Sequence, residues 1–116
     1  MTGMTIEWAP FRLKDNATEA ELMAASAELQ SGFLEKQPGF VRRELLRGPD
    51  GLWCDLLHWT DAASASAAME QAMQNPACAR YFELITGVDS DDPGAGLLHF
   101  EVRDAYEAAG LVDSSR

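Results

Sequence analysis

The chain has 116 residues, of which 47% are hydrophobic and 24% are charged, a balance typical of a folded globular domain rather than a disordered chain. Its formal net charge of −10 disfavours binding to nucleic-acid backbones and to anionic membrane surfaces. No apolar run approaches the ~18 residues of a transmembrane helix, and no secretory signal is recognisable at the N-terminus. We therefore expect neither a nucleic-acid nor a membrane partner.

The two cysteines, Cys54 and Cys78, are too few for a disulfide framework and favour a reducing cytoplasm as the location. The chain contains no internal repeat, no low-complexity segment and no linker. We expect a single domain over residues 1–116, with a core of about 5–103 and a loose C-terminal tail of about 107–116.

The first strand is predicted over residues 5–14, and it is bulged or at a free edge at Pro10, because proline donates no hydrogen bond. Thr18 and Glu21 have the spacing of a capping box at the start of a helix. The segment 37–39, Gln-Pro-Gly, ends that helix. Its apolar stripe consists of Leu22, Ser26, Leu29 and Phe33.

Two further strands, residues 40–48 and 52–60, flank the turn signal Gly-Pro-Asp-Gly at 48–51 and predict an antiparallel hairpin. A second helix begins after Thr60 or Asp61, either of which can cap it.

Asn-Pro at residues 75–76 interrupts the second helix, and a further helical piece extends to Gly87. The last strand is predicted over residues 97–103. One face of the second helical piece carries Cys78, Tyr81, Phe82 and Ile85.

This order of elements, β-α-β-β-α-β, predicts an α+β, ferredoxin-like fold with a four-stranded antiparallel sheet. Both helices cover one face of that sheet, which leaves the other face bare. We expect the bare face to be covered by a second copy in a homodimer, because it is too apolar to face water. The residues assigned to it are Ile6, Trp8, Trp53, Leu57 and Trp59.

His58 and His99 are the candidate catalytic bases, since each lies in an otherwise apolar strand and histidine exchanges a proton near neutrality. The alternative is a histidine held by a backbone group or a carboxylate, and for His99 that partner is Glu7 or Glu101. No metal site is predicted, because Cys54 and His58 lie roughly 13 Å apart along one strand, too far to share an ion.

The candidate ligand-binding residues are apolar or aromatic. Indole rings stack on planar ligands, and the Tyr81 hydroxyl can bond to one. The alternative places these side chains in the core or the dimer interface, with the pocket filled by Met69, Met73, Phe11 and Phe33. The predicted ligand-binding set is Trp8, Trp59, Tyr81, Phe82 and Met69.

Residues 36–47 form a basic segment in this acidic chain. On a strand, Arg43 and Arg47 share one face, and Arg42 pairs with Glu44 on the other. These residues either steer an acidic substrate or, the interpretation we favour, balance the acidic surface by ion pairs.

The first strand running into a capped helix, Gln37-Pro38-Gly39-Phe40, Trp59 at the end of the third strand, Asn75-Pro76-Ala77 and Tyr81-Phe82 together resemble the antibiotic biosynthesis monooxygenase-like domain. The resemblance covers about residues 5–103. It implies a dimeric α/β barrel with a pocket between sheet and helices in each subunit. Activities in this superfamily include oxidation of polyphenols to quinones without a cofactor, haem degradation, and isomerase or lyase steps.

The haem-degrading branch requires an Asn on the first strand, a Trp in the second long helix and a His about three turns further on. The corresponding positions here are near Ala9, Met69, and Tyr81 or Phe82, and none of them matches. The resemblance therefore favours a cofactor-independent monooxygenase-like enzyme acting on a small aromatic or phenolic molecule. The alternative is a non-catalytic, small-molecule-binding or stress-related dimer that shares the fold.

Overall fold

A long strand, β1 (Thr5–Leu13), lies in the interior of the sheet. The computed structural model describes residues 3–109 of the chain. The remaining elements are α1 (Glu19–Gly32), β2 (Phe40–Arg47), β3 (Leu52–Trp59), α2 (Ala62–Ala72), α3 (Pro76–Phe82), β4 (Ile85–Thr86) and β5 (Leu98–Glu101). Their order confirms the predicted α+β, ferredoxin-like arrangement.

The sheet is antiparallel in the order β2-β3-β1, and the far side of β1 is shared by two short strands. β4 pairs with residues 12–13 of β1, and β5 pairs with residues 5–8. The last strand predicted over residues 97–103 is present as the shorter β5, but β4 was not predicted, so this edge is split between two segments. Pro10 lies in the gap between them, where its missing N–H interrupts no ladder.

The start of α1 confirms the predicted capping box. The backbone N–H of Glu21 donates to Thr18 Oγ1 over 3.1 Å, and the Thr18 N–H donates to Glu21 Oε1 over 2.9 Å. The helix ends at Gly32, before the predicted stop. Gly39 follows in a left-handed conformation (φ 82°), and a Cβ there would overlap the Ser64 hydroxyl, so only glycine fits. The buried residues of α1 are Leu22, Ser26 and Leu29.

The second crossover consists of two helices, as the Asn-Pro break predicts. Asp61 caps α2, and Asn75 caps α3 by accepting two backbone N–H bonds. α3 ends at Phe82, earlier than predicted. Ile85 does not continue the helical stripe, because it pairs with Leu13 in β4. Pairing with β1 outweighs the helical pattern at this position.

The strand register divides the sheet into a helix-covered face and an open face. Glu7 lies opposite Leu57, and Trp8 lies opposite Leu56. Odd-numbered residues of β1 and β3 therefore point to the helix-covered face, and even-numbered residues point to the open face. The assignment of Trp53, Leu57 and Trp59 to the bare face was wrong: all three are buried under the helices. The open face carries Ile6, Trp8, Leu46, Leu56, Leu98 and Phe100.

No helix within residues 3–109 combines the length and the apolar character needed to cross a membrane. Cys54 and Cys78 are both free and buried. The predicted tail of about 107–116 lies outside the described residues beyond position 109.

The capping box gives a test of how α1 is anchored. Thr18→Ala removes the acceptor for the Glu21 N–H, so we expect a loss of about 1 kcal/mol in the free energy of unfolding. Urea unfolding followed by circular dichroism measures the change. Ser31→Ala, whose hydroxyl bonds only to the Ala27 carbonyl near the end of the same helix, is the control and should stay within about 0.5 kcal/mol of the parent. Equal losses in both variants would contradict the capping role.

Candidate active site

A cavity of about 350 Å³ lies between the helix-covered face of the sheet and the helices, within the size range of small-molecule sites. Met69, Met73 and Phe82 line it and are 42%, 83% and 40% exposed, so the cavity opens to solvent beside them. The floor is formed by Glu7, Ala9, Phe11, Asp55, Leu57 and Trp59. Most of its lining is apolar. Apart from Asp92 and the Cys78 thiol, its polar side chains fall into two sets.

The first polar set is centred on Glu7. Its Oε1 accepts a hydrogen bond from Trp59 Nε1 at 3.2 Å and lies 3.4 Å from His99 Nε2. Its Oε2 has no hydrogen-bond partner among residues 3–109. Burial raises the pKa of the Glu7 carboxyl above its ordinary value, while the bonds to His99 and Trp59 oppose that rise. Glu7 is thus a carboxylate with increased basicity and one free oxygen.

The second polar set consists of Arg43, Asp55 and Tyr81. Arg43 Nε donates to Asp55 Oδ1 over 2.8 Å, and the Tyr81 hydroxyl donates to Asp55 Oδ2 over 2.6 Å. Arg43 also donates to the Tyr81 hydroxyl over 3.2 Å and to the Ser26 carbonyl over 3.2 Å. The side chains of Arg43 and Asp55 are only 6% and 9% exposed, so their charges are paired inside the protein.

The protonation states of this second set follow from its surroundings. Burial opposes the charge of Arg43, but Asp55 and Tyr81 raise the pKa of its guanidinium above the ordinary value. Burial and Asp55 raise the pKa of the Tyr81 phenol far above its ordinary value. Tyr81 therefore stays protonated and is a hydrogen-bond donor, not a base.

The structure separates the two histidines named as candidate bases. His99 stands on the helix-covered face and reaches the cavity only through Glu7, with its side chain 30% exposed. His58 lies on the open face, with its Nε2 3.4 Å from Glu44 Oε1, and does not line the cavity. Of the two carboxylates offered as partners of His99, Glu7 and Glu101, the structure brings Glu7 to within 3.4 Å of its Nε2.

Four of the five predicted ligand-binding residues line the cavity, namely Trp59, Tyr81, Phe82 and Met69. Trp8 does not, because it projects from the open face and is 40% exposed. Met69 and Met73 stand at the mouth rather than filling the interior. A ligand-sized space therefore remains beside the aromatic residues.

Two residues of the basic segment form the surface ion pairs that the sequence suggested. Arg42 bonds Glu44 at 2.7 Å, and Arg47 bonds Glu19 at 3.0 Å. Arg43 departs from that expectation, because its partner Asp55 lies in the core. Asp55 was not identified from the sequence. Its position on β3, in line with the buried Trp53 and Leu57, could have indicated a buried charge that needs a partner.

Within residues 3–109, no three His, Cys, Asp or Glu side chains come together in a way that could hold a metal ion. The Cys78 thiol lines the cavity, and burial raises its pKa to about 11. A thiol that is so rarely ionised is a poor nucleophile at neutral pH.

Solved structures with the same architecture include an oxygenase and several candidate monooxygenases. SnoaB, a cofactor-independent oxygenase from Streptomyces nogalater, matches with a TM-score of 0.64 at 23% identity, over 93% of this chain and 98% of SnoaB. A candidate antibiotic biosynthesis monooxygenase from Bordetella bronchiseptica matches with a TM-score of 0.65 at 14% identity, over 90% of this chain and 99% of that one. A third, from Caulobacter crescentus, has a TM-score of 0.63 at 17% identity, covering 91% and 92% of the two chains.

The chain shares its fold with these oxygenase and candidate monooxygenase structures. At these identities the likeness establishes the fold and leaves the chemistry to the residues of the cavity. No protein-family model matches the sequence, and neither does any curated protein sequence. In this chain, the two polar sets of the cavity are the features that point to a function.

The opposite pKa shifts of two glutamates give a test of the electrostatics. The pKa of Glu7 is raised, so its ionisation destabilises the folded state as the pH rises above the ordinary range of a glutamate. The bond from Arg42 lowers the pKa of Glu44, so ionised Glu44 stabilises the folded state in that range and the gain is lost on acidification. At pH 7, Glu7→Gln should therefore raise the free energy of unfolding, and Glu44→Gln should lower it.

Urea unfolding of both variants at pH 7 and at pH 4 measures these effects. We expect the Glu7→Gln difference to shrink most by pH 4, where Glu7 is mostly protonated in both states. The Glu44→Gln difference should shrink only in part there, because the folded state holds the pKa of Glu44 below its ordinary value. Destabilisation of the Glu7→Gln variant at pH 7 would contradict the assignment of Glu7 as a buried carboxylate with a raised pKa.

Proposed function

We propose that this protein is a cofactor-independent monooxygenase-type enzyme that oxidises a small aromatic or phenolic molecule bound in the cavity. The observation that carries this proposal is the position of Glu7, a carboxylate with a raised pKa and a free oxygen on the floor of a mostly apolar cavity. Such chemistry needs a base that generates an electron-rich anion and a pocket that shields it from water.

Glu7 is the proposed base. A carboxylate of ordinary pKa accepts a proton weakly near neutrality, and burial makes it stronger. Trp59 and His99 both hold Oε1, which leaves Oε2 to take the proton. His99, partly exposed on the outer side, is the proposed relay that passes this proton on to solvent. The role of catalytic base, which the sequence analysis gave to His58 or His99, is therefore proposed for Glu7 with His99 as its partner, and His58 takes no part.

The proposed reaction uses dioxygen as the oxidant. Glu7 removes a proton from an acidic phenolic or ring-carbon position, and the resulting anion transfers one electron to O2. The substrate radical and superoxide combine to a hydroperoxide, which loses water to leave a carbonyl. The balance is one CH2 group plus O2 giving one C=O group plus H2O, so no external reductant enters.

The remaining lining supplies binding rather than proton transfer. The proposed contacts with the aromatic rings of the ligand are Trp59, Tyr81, Phe82 and Met69. Aromatic rings favour offset or edge-on packing against such side chains.

We also propose a cytoplasmic location, which the two free cysteines favour.

Oxygen consumption with a panel of hydroxylated aromatic compounds tests the proposed function. With any compound that is turned over, Glu7→Gln should lower kcat by about 10²- to 10⁴-fold, the usual contribution of a general base. His99→Gln should have a smaller effect that is partly rescued by added imidazole. Glu28→Gln, which removes a surface carboxylate bonded to Arg80, is the control and should retain the parent rate.

Oxygen consumption, combined with a measurement of ligand binding, also distinguishes an enzyme from a non-catalytic binding protein. If no compound is consumed while the parent and Glu7→Gln proteins bind the same aromatic ligand equally tightly, the chain is a non-catalytic binding protein that shares the fold. An unchanged kcat in the Glu7→Gln variant would overturn the base assignment alone.

We further propose that the open face of the sheet binds a second copy of the chain in a symmetric homodimer. Trp8, Leu46, Leu98 and Phe100 are 40%, 38%, 53% and 52% exposed on this one face. Four large apolar side chains side by side are typical of an interface rather than of a solvated sheet. A face that binds its own copy is self-complementary, as two-fold symmetry requires.

Light scattering coupled to size-exclusion chromatography tests the dimer. The parent protein should elute with twice the mass of the chain, and Leu98→Glu should convert it to the monomer, because a charge would be buried in the interface. Met23→Glu is the matched control, since Met23 is 51% exposed on α1, away from the open face. A monomeric parent protein, or a dimeric Leu98→Glu variant, would contradict the proposal.

A further inference from the structure

The Arg43–Asp55–Tyr81 set is placed to contact a ligand that Glu7 also contacts. Asp55 pairs with Ala9, and Glu7 pairs with Leu57, the neighbour of Asp55 on the same face. Glu7 and Asp55 are therefore diagonal neighbours, a relation in which the two residues are typically about 7–8 Å apart and their Cβ atoms somewhat closer. Ala9 lies between them on the floor, and its small side chain leaves the space above it open to a flat molecule.

The three side chains have hydrogen-bonding capacity that their mutual bonds do not use. A guanidinium has five N–H groups, and three of those of Arg43 go to Asp55, Tyr81 and Ser26. Two N–H groups are left without a partner among residues 3–109. The Tyr81 oxygen donates once and accepts once, so it retains one acceptor position.

The charges of the set cancel. Asp55 neutralises Arg43, and Tyr81 stays protonated because its pKa is raised. The other ionisable groups that line the cavity are Glu7, which is acidic, Asp92, also acidic, and the thiol Cys78. An anionic ligand group would therefore find no unbalanced positive charge, and it would face up to two further carboxylates while losing its own hydration.

We propose that Arg43 and Tyr81 determine specificity by binding an uncharged oxygen of the ligand, a carbonyl or hydroxyl, about one sheet diagonal away from the part of the ligand that contacts Glu7. The cavity rejects a carboxylate at the same place. This inference rests on the proposed function only for the aromatic nature of the ligand. Arg43 and Tyr81 act here as binding residues, and Asp55 is the positioning residue that also cancels the charge of Arg43.

Two naphthalene probes of almost the same shape test this selectivity. 2-Acetylnaphthalene presents a neutral ketone where 2-naphthoate presents a carboxylate. Binding is measured by titration calorimetry at pH 7 and needs no turnover. The parent protein should bind the ketone at least about tenfold more tightly than the naphthoate. The carboxylate of the naphthoate would lose its hydration beside other carboxylates and would find no unbalanced positive charge in return.

The Asp55→Asn variant removes one negative charge and keeps an acceptor for Arg43. We expect its affinity for 2-naphthoate to rise about tenfold, while its affinity for the ketone changes by less than about threefold. Glu28→Gln, with the same charge change on the surface, should leave the ratio of the two affinities as in the parent. Circular dichroism and urea unfolding establish that each variant is folded.

Tyr81→Phe keeps the test decisive if Asp55→Asn fails to fold. Loss of the hydroxyl should weaken binding of 2-acetylnaphthalene about tenfold and leave binding of 2-ethylnaphthalene, which has no oxygen, unchanged. Equal affinity of the parent protein for ketone and naphthoate, an unaltered ratio in folded Asp55→Asn, or no binding of either probe would overturn the inference. Absence of oxygen consumption would overturn the oxygenase proposal and leave this inference standing.

Discussion

The cavity depends on one buried ion pair, between Arg43 of β2 and Asp55 of β3. Arg43 also donates to the Ser26 carbonyl in α1, and Asp55 accepts from Tyr81 in α3, so the pair connects the hairpin to helices of both crossovers. Breaking such a pair by removing one partner costs about 3–5 kcal/mol, because the other charge stays buried. The same bonds that hold the helices over the sheet fix the orientation of the Tyr81 hydroxyl at the cavity wall.

Burial has opposite consequences for the two carboxylates on the cavity floor. Asp55 accepts two short hydrogen bonds and faces a guanidinium, so its charge is compensated. Within residues 3–109, Glu7 receives only an indole N–H and a longer contact with a histidine, both on one oxygen. These bonds oppose the effect of burial without cancelling it, so the pKa of Glu7 is raised. An ionised Glu7 lowers the stability of the folded chain at neutral pH, so folding does not explain its presence there. Residues of this kind are concentrated at functional sites, which makes Glu7 a candidate for function.

The local signals in the sequence were sufficient for most of the fold. The capping box of Thr18, the hairpin turn and the Asn-Pro break act over a few residues, and all three are present. The split fourth strand was beyond such reasoning, because the pairing of Ile85 with Leu13 joins distant parts of the chain. The inward position of Asp55 was implied by alternation along β3, but its partner Arg43 belongs to another strand, and no local pattern shows that the two meet.

The alternation of side chains along the sheet also explains why His58 and His99 cannot have equivalent roles. Leu56 and His58 share the open face, whereas His99 pairs with Glu7 on the helix-covered face. A histidine at an even position of β3 is at most a neighbour of the proposed dimer interface, whatever its proton affinity. Histidine content alone therefore says little about catalysis in this fold. Whether a strand position is odd or even decides which of its ionisable groups reach the cavity, and on β1 Glu7 reaches it with an oxygen that has no partner among residues 3–109.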